Sequence, residues 1–283
     1  MRNIIIILFL SLNISVFGQV NELKVSYEVS AKQSMHKKAI KEPFLLLIKG
    51  NKSVFINYKK IIADSIGKVY MQKMIKKSGN SREIKMNADN PDYKRRMKNK
   101  TKISWVVEKE LLKNTLTIQQ KAFRSRIEYR QKLPKLAWKL QDSIKEILGY
   151  KVKKALLHYK GRDYIAWYAP AVAIPDGPYK FWGLPGLIFE IHDSKNEYSF
   201  KITGIEQKKH ISFPKKYFFK GSSFFPLIKT TEKNFKKDFE KTFNISNAYN
   251  SAVVIGESKE EYIRERIKKI KSLYDNPIEL NEE

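Results

Sequence analysis

The chain has 283 residues, 56 Lys and Arg against 29 Asp and Glu for a net charge of +27, and no cysteine. Without Cys there are no disulfides, no thiolate metal sites, no cysteine nucleophile and no lipid-modified cysteine. The length is enough to bury a sizeable core without staples and favours one main domain. Met1-Arg2-Asn3 followed by the apolar run Ile4 to Phe17 reads as a secretory signal peptide over residues 1–18, cleaved before Gln19 and too short to span a bilayer. No later stretch reaches the roughly 18 apolar residues of a membrane span. In a cytoplasmic protein this charge would suit nucleic acid. Export redirects it to an anionic envelope surface, an acidic glycan or an outer-membrane protein, and away from nucleic acid. The plainer reading of the charge is compositional, since only ten of the basic residues are Arg and Lys serves as a solvated point charge.

From Leu23 the period is two: "LKVSYEVS" puts Leu23, Val25, Tyr27 and Val29 on one face of a strand. "PFLLLIKG" and "SVFINY" follow around a Gly50-Asn51-Lys52 turn. Further strands are expected at "KVYMQKM", "REIKMNA", "SWVVEKELL", "TLTIQQKAF" and "RIEYRQKL", as an antiparallel meander. Between Lys68 and Lys102, twelve Lys and Arg face three Asp and Glu, a local excess of nine and the best candidate for an anionic contact. "DSIKEIL" (Asp142 to Leu148) reads equally as a short connection or a strand. "KVKKALLHYKGRDYIAWYA" is the clearest hairpin. Its Lys160-Gly161 turn pairs His158 with Asp163 and Leu156 with Ile165, and sets Ile165 and Trp167 on one face against Tyr164, Ala166 and Tyr168. A second hairpin turns at Asp193 to Asn196.

Between the hairpins lies "IPDGPYKFWGLPGLIFEI". Pro185 fixes its own φ and Gly186 accepts a positive one, so Leu184 to Leu187 is expected to be a type II turn, with Gly183 completing the structural corner. Leu184, Leu187 and Ile188 should enter the core, leaving Phe181 and Trp182 as an exposed lip. Two helices are expected late, within about residues 229–275. One stacks Phe235, Phe239 and Phe243 behind a Thr231 cap; the other opens on Ser258 and Glu261 and carries Ile263, Ile267 and Ile270 on one stripe.

"GPYKFWGLPGLIFEI" resembles the signature of GLPGLI family proteins, exported proteins of Bacteroidota-type bacteria, and the resemblance extends to "GYKVKKALLHYKGRDYIAWYAPAVAIP" and to "NPIEL" at Asn276 to Leu280. Val152 stands where many members carry Cys. The resemblance implies a strand-rich envelope protein and supplies no catalytic residue. Members are similar, more faintly, to bowl-like N-terminal domains of some secreted glycan-cleaving enzymes.

The four histidines, His36, His158, His192 and His210, form no zinc motif, and no serine-hydrolase elbow, phosphate loop or dinucleotide fingerprint occurs, so neither metal nor cofactor is assigned. Glu190, His192 and Asp193 form the one compact polar cluster; its plain reading is a surface ion pair at a strand end. Paired carboxylates for glycoside hydrolysis, Asp163 with Asp176 or Glu190, would need the fold to bring them together. Trp167, Tyr168, Tyr179, Phe181 and Trp182 crowd the stiff turns, as a binding rim or as core. The expectation is a mainly β chain, a curved, largely antiparallel, bowl-like sheet with two late helices. It would act as a binding or accessory protein of the cell envelope, with a secreted glycan-active or other hydrolytic enzyme as the alternative.

Overall fold

The computed structural model describes residues 22–78, 88–122, 125–214, 226–239, 241–242, 268 and 277–280. The strands are β1 (Glu22–Ala31), β2 (Ile40–Lys49), β3 (Lys52–Asn57), β4 (Val106–Glu110), β5 (Thr115–Ala122), β6 (Ser125–Lys132), β7 (Lys139–Ile147), β8 (Tyr150–Tyr159), β9 (Arg162–Ala169), β10 (Leu187–Asp193), β11 (Tyr198–Gln207) and β12 (Leu227–Thr230). All belong to one unclosed sheet in the order β12-β6-β5-β4-β3-β2-β1-β11-β10-β9-β8-β7. Two meanders, β1 to β6 and β7 to β11, meet where β1 pairs antiparallel with β11. Among the described residues the one parallel pair is β12 on β6. "DSIKEIL" is part of β7. His158 and Leu156 pair with Asp163 and Ile165, as counting back from Lys160-Gly161 requires, and both turn residues have positive φ.

The connectivity dictates the curl. In the sheet order β6 and β7 lie ten positions apart, about 48 Å along a flat sheet at about 4.8 Å per strand. The chain crosses from Lys132 to Lys139, seven residue steps that reach at most about 25 Å when extended. The sheet therefore bends until its flanks approach. Two tryptophans fasten the crossing: Trp138 Nε1 donates to the Trp182 carbonyl and Trp182 Nε1 donates to the Pro134 carbonyl, each at 2.9 Å.

The concave face holds the main core, including Leu23, Val25, Tyr27 and Val29 of β1 with Phe44, Phe55, Trp105 and Phe200. β2 reads as an uninterrupted apolar run because both its faces are covered. Phe44, Leu46 and Ile48 point into the bowl, while Leu45 and Leu47 pack outside with Ile211, Ile61 and Phe213.

Two helices lie where none was expected. α1 (Tyr58–Ser78) follows β3 directly, with Asn57 Oδ1 accepting from the Lys59 amide, and α2 (Pro91–Lys98) is capped by Asn90. Lys68 to Met74, expected as a strand, is therefore helical. Ile66 and Tyr70 of α1 are buried but Val69, Met71 and Ile75 are exposed, so its apolar residues do not share one stripe. The expected strand at "REIKMNA" lies outside the described residues up to Asn87, and Ala88 is in a turn. Late in the chain, Leu227–Thr230 is strand, correcting a helical start near 229; residues 235–239 and 241–242 are helical, with Phe235 on Tyr129 at 5.2 Å. Phe243, the second late helix apart from Lys268, and the signal segment lie outside the described residues.

Candidate functional site

The loop from Pro170 to Gly186 leaves β9, folds into the bowl and returns as β10. Leu184, Leu187 and Ile188 are buried and Gly186 has φ +148°, as a core-entering corner requires. The turn itself is not type II. The Gly186 amide donates to the Leu184 carbonyl at 2.7 Å, a three-residue γ-turn about Pro185, and the Leu187 amide donates instead to Val172 at 2.9 Å. A Cβ on Gly186 would lie against the Ala169 carbonyl oxygen, 2.7 Å from its carbonyl carbon and 3.0 Å from Pro170 Cα. Only glycine lets the two backbones approach so closely. Gly183 is also at positive φ (+89°), but a methyl group added there would meet nothing within 4 Å.

From the opposite flank Lys109 of β4 reaches this loop. Its side chain is fully buried, paired with Asp176, and its Nζ donates to the Gly177 and Phe181 carbonyls at 2.6 and 3.3 Å. Burial pushes the ammonium pKa down, with Asp176 acting against the fall. The period-two placement of Trp105, Val107 and Lys109 on one face was a legible sign that this lysine points inward.

The aromatic rim does not stand out as a lip. Phe181 is 0% exposed and packs on Tyr164 at 4.8 Å; Tyr168 and Tyr179 are buried, and Tyr179 stacks on Phe200. Trp182 is half-buried and bonded across the bowl to Pro134. Trp167 lies half-buried on the outer face beneath Lys145 Nζ, 4.4 Å from the ring. The cause is the curl: rings placed around stiff turns fall inside when the sheet closes over them.

Glu190, His192 and Asp193 separate across β10. Glu190 pairs with Lys145 at 2.6 Å, whereas Asp193 is buried on Arg162 at 2.7 Å and accepts from the Tyr198 amide. His192 Nδ1 lies 3.1 Å from the Asp193 carbonyl. Alternation puts Asp193 on the other face from its two neighbours. The carboxylate pairs do not converge either: Asp163 is exposed on His158 at 2.6 Å, and Asp176 belongs to Lys109. Among the described residues no group of three His, Asp or Glu could hold a metal ion.

Residues far apart in sequence do meet around Lys180. Its ammonium, fully buried, lies 2.7 Å from Glu279, 3.3 Å from Glu232 and 5.3 Å above the Tyr129 ring. Burial works against the charge, but Glu279, Tyr159 and Glu232 together hold its pKa above the ordinary lysine value. Tyr179 Oη donates to Glu279 Oε1 at 2.6 Å. Pro277–Leu280 as a whole is seated here: Arg162 donates to the Pro277 carbonyl at 2.8 Å, Tyr164 to the Ile278 carbonyl at 3.1 Å, and the Leu280 amide donates to the Lys160 carbonyl at 2.9 Å. A lysine inside "PYKFW" was the available sign, because a buried ammonium needs an anionic partner.

The second candidate surface is the helix pair. α1 and α2 expose Lys68, Lys76, Arg95 and Lys98 together with Val69 (47% exposed), Met71 and Met97 (42%). Lys73 pairs with Asp92 and Tyr70 meets Tyr93 at 6.3 Å, tying the two helices together. A cleft of about 220 Å³ lies beside Tyr27, Glu28, Lys41 and Glu42. Both its acids are engaged: Glu42 accepts from Asn57 and from the Lys102 and Ile103 amides, and Glu28 pairs with Lys41 at 3.2 Å.

A sequence family described as a protein of unknown function (Porph_ging) matches residues 158–190. No curated protein matches the chain. Among solved structures, PNGF-II in two crystal forms aligns with TM-scores of 0.51 and 0.50 at 14% and 16% identity, covering 78% of this chain. The aligned part is 34% and 33% of the PNGF-II chain, so this chain spans about a third of that protein's length. A LolA superfamily protein from Nitrosomonas europaea aligns over 71% of this chain and 91% of its own, at 9% identity and a TM-score of 0.26, too low to compare folds. At these identities the PNGF-II likeness shows a shared curved-sheet fold, and the family match is confined to the hairpin and corner that build the Lys180 cluster.

Proposed function

We propose that this is an exported binding or accessory protein of the cell envelope, docking on an anionic surface through α1 and α2. The observation that carries the reading is the mixture on that helix pair of exposed cations with exposed Val69, Met71 and Met97. Cations draw the face to anionic headgroups and apolar side chains enter the interface. The segment Met1 to Gly18 and the resemblance to GLPGLI proteins support export. An acidic glycan or an outer-membrane protein would meet the same charge.

The hydrolase reading has less behind it. Among the described residues Glu232 and Glu279 converge on the Lys180 ammonium and Asp193 and Glu197 on the Arg162 guanidinium, so each pair is held by a cation.

Co-sedimentation with phosphatidylglycerol and with phosphatidylcholine vesicles tests the proposal. Binding to the anionic vesicles should fall steeply from about 0.01 to about 1 M salt, as the Debye length drops from about 30 to about 3 Å. Lys68→Glu/Lys76→Glu should abolish it without changing the circular dichroism. Equal binding to both lipids, or none to anionic vesicles at low salt, removes the reading.

A further inference from the structure

We propose that Lys160, Arg162, Tyr164, Tyr179 and Lys180 form a recognition cradle for an extended acidic peptide, which Pro277–Leu280 occupies within its own chain. The contacts are of the kind that read a peptide rather than assemble a core. Arg162 and Tyr164 bind main-chain carbonyls, the Lys160 carbonyl binds a main-chain amide, and Lys180 with Tyr179 clasps one carboxylate. One apolar side chain of the segment, Ile278, is buried. Gly161, at φ +73°, admits the segment at close range: a Cβ there would stand 3.0 Å from Leu280 Cβ.

The cradle is built by elements other than its occupant. Arg162 is fixed by Asp193 at 2.7 Å and Glu197 at 2.9 Å, and it packs over Tyr198 at 4.9 Å. Lys180 and Tyr179 belong to the loop that Lys109 anchors from β4. Such preorganisation lowers the entropy lost when a peptide binds. All five cradle residues fall within 158–190, the stretch that the family match covers. The Tyr159 hydroxyl, buried beside the same cluster, has no hydrogen-bond partner among the described residues. The specificity follows from the chemistry: a glutamate for Lys180, with a buried aliphatic residue directly before it.

The test uses the full chain and a fluorescein-labelled peptide of its own residues Asp275 to Glu283. Ile278→Ala/Glu279→Gln weakens the internal occupant. This variant should bind the peptide at least about tenfold more tightly than the wild type, whose own segment competes at a high effective concentration. Adding Lys180→Met to the variant, or introducing Glu279→Gln into the peptide, should remove that binding. In parallel, hydrogen exchange on the wild type should show the Leu280 amide losing protection under excess peptide while β8 and β9 keep theirs. Should the variant fail to fold, the exchange measurement decides. Unchanged protection of Leu280 under peptide excess, or equal peptide affinity for wild type and folded variant, overturns the proposal. Neither outcome touches the vesicle result, which concerns α1 and α2.

Discussion

Replacing Gly186 by Ala should be among the most damaging single-methyl additions in the chain. Two effects add. An L-residue at φ +148° is held in a region that is sparsely populated, at about 1–3 kcal/mol. The new methyl must also displace backbone: the nearest groups are the Ala169 carbonyl, whose carbon would lie at 2.7 Å, and Pro170 Cα at 3.0 Å. Neither is the end of a flexible side chain, and overpacking of this kind adds about 1–3 kcal/mol. The sum, about 2–6 kcal/mol, is a large part of a typical stability of about 5–15 kcal/mol. Gly183→Ala is the internal control, since it shares the positive φ (+89°) but has open space around the methyl. Urea unfolding followed by tryptophan fluorescence measures both, with equal m-values confirming that midpoints report stability. If Gly186→Ala is no more destabilising than Gly183→Ala, the close approach to Ala169 does not constrain the corner and the reasoning fails.

Asp176→Asn strips the buried Lys109 ammonium of its countercharge and should destabilise by about 3–5 kcal/mol, whereas Lys109→Met/Asp176→Leu should recover most of the loss in the same urea assay. Trp182→Phe and Trp138→Phe each remove one bond across the bowl, for about 0.5–1.5 kcal/mol apiece. Because both bonds hold the same crossing, a double-mutant cycle should be non-additive; strict additivity would mean that the crossing is held elsewhere. Lys180 has a pKa raised in the folded state, so its contribution is fully present below the unfolded lysine value of about 10.4 and is lost as pH rises through the folded value. The midpoint gap between wild type and Lys180→Met should stay flat from neutral pH to about 10 and narrow above it; narrowing between about 7 and 9 would contradict the assignment.

Local chemistry in the sequence determined a good deal of this protein. Period-two alternation placed Leu23, Val25, Tyr27 and Val29 in the core, the Lys160-Gly161 turn set the register of β8 against β9, and Pro185-Gly186 marked a corner whose leucines go inside. Each depends on interactions within a few residues, which a single chain segment displays. The α1 helix was hidden because its apolar residues are divided between the sheet, α2 and solvent, leaving no single stripe to read. Tertiary structure alone decided that β1 sits mid-sheet beside β11, and that a crossing shorter than the flat sheet bends it into a bowl. The same bend took Phe181 and Tyr179 from an expected rim into the core. It also brought Glu279 to Lys180 across 99 positions of sequence. Charge and aromatic content are carried by the residues themselves, but which of them meet depends on strand order and curvature, and these arise from contacts that no local pattern encodes.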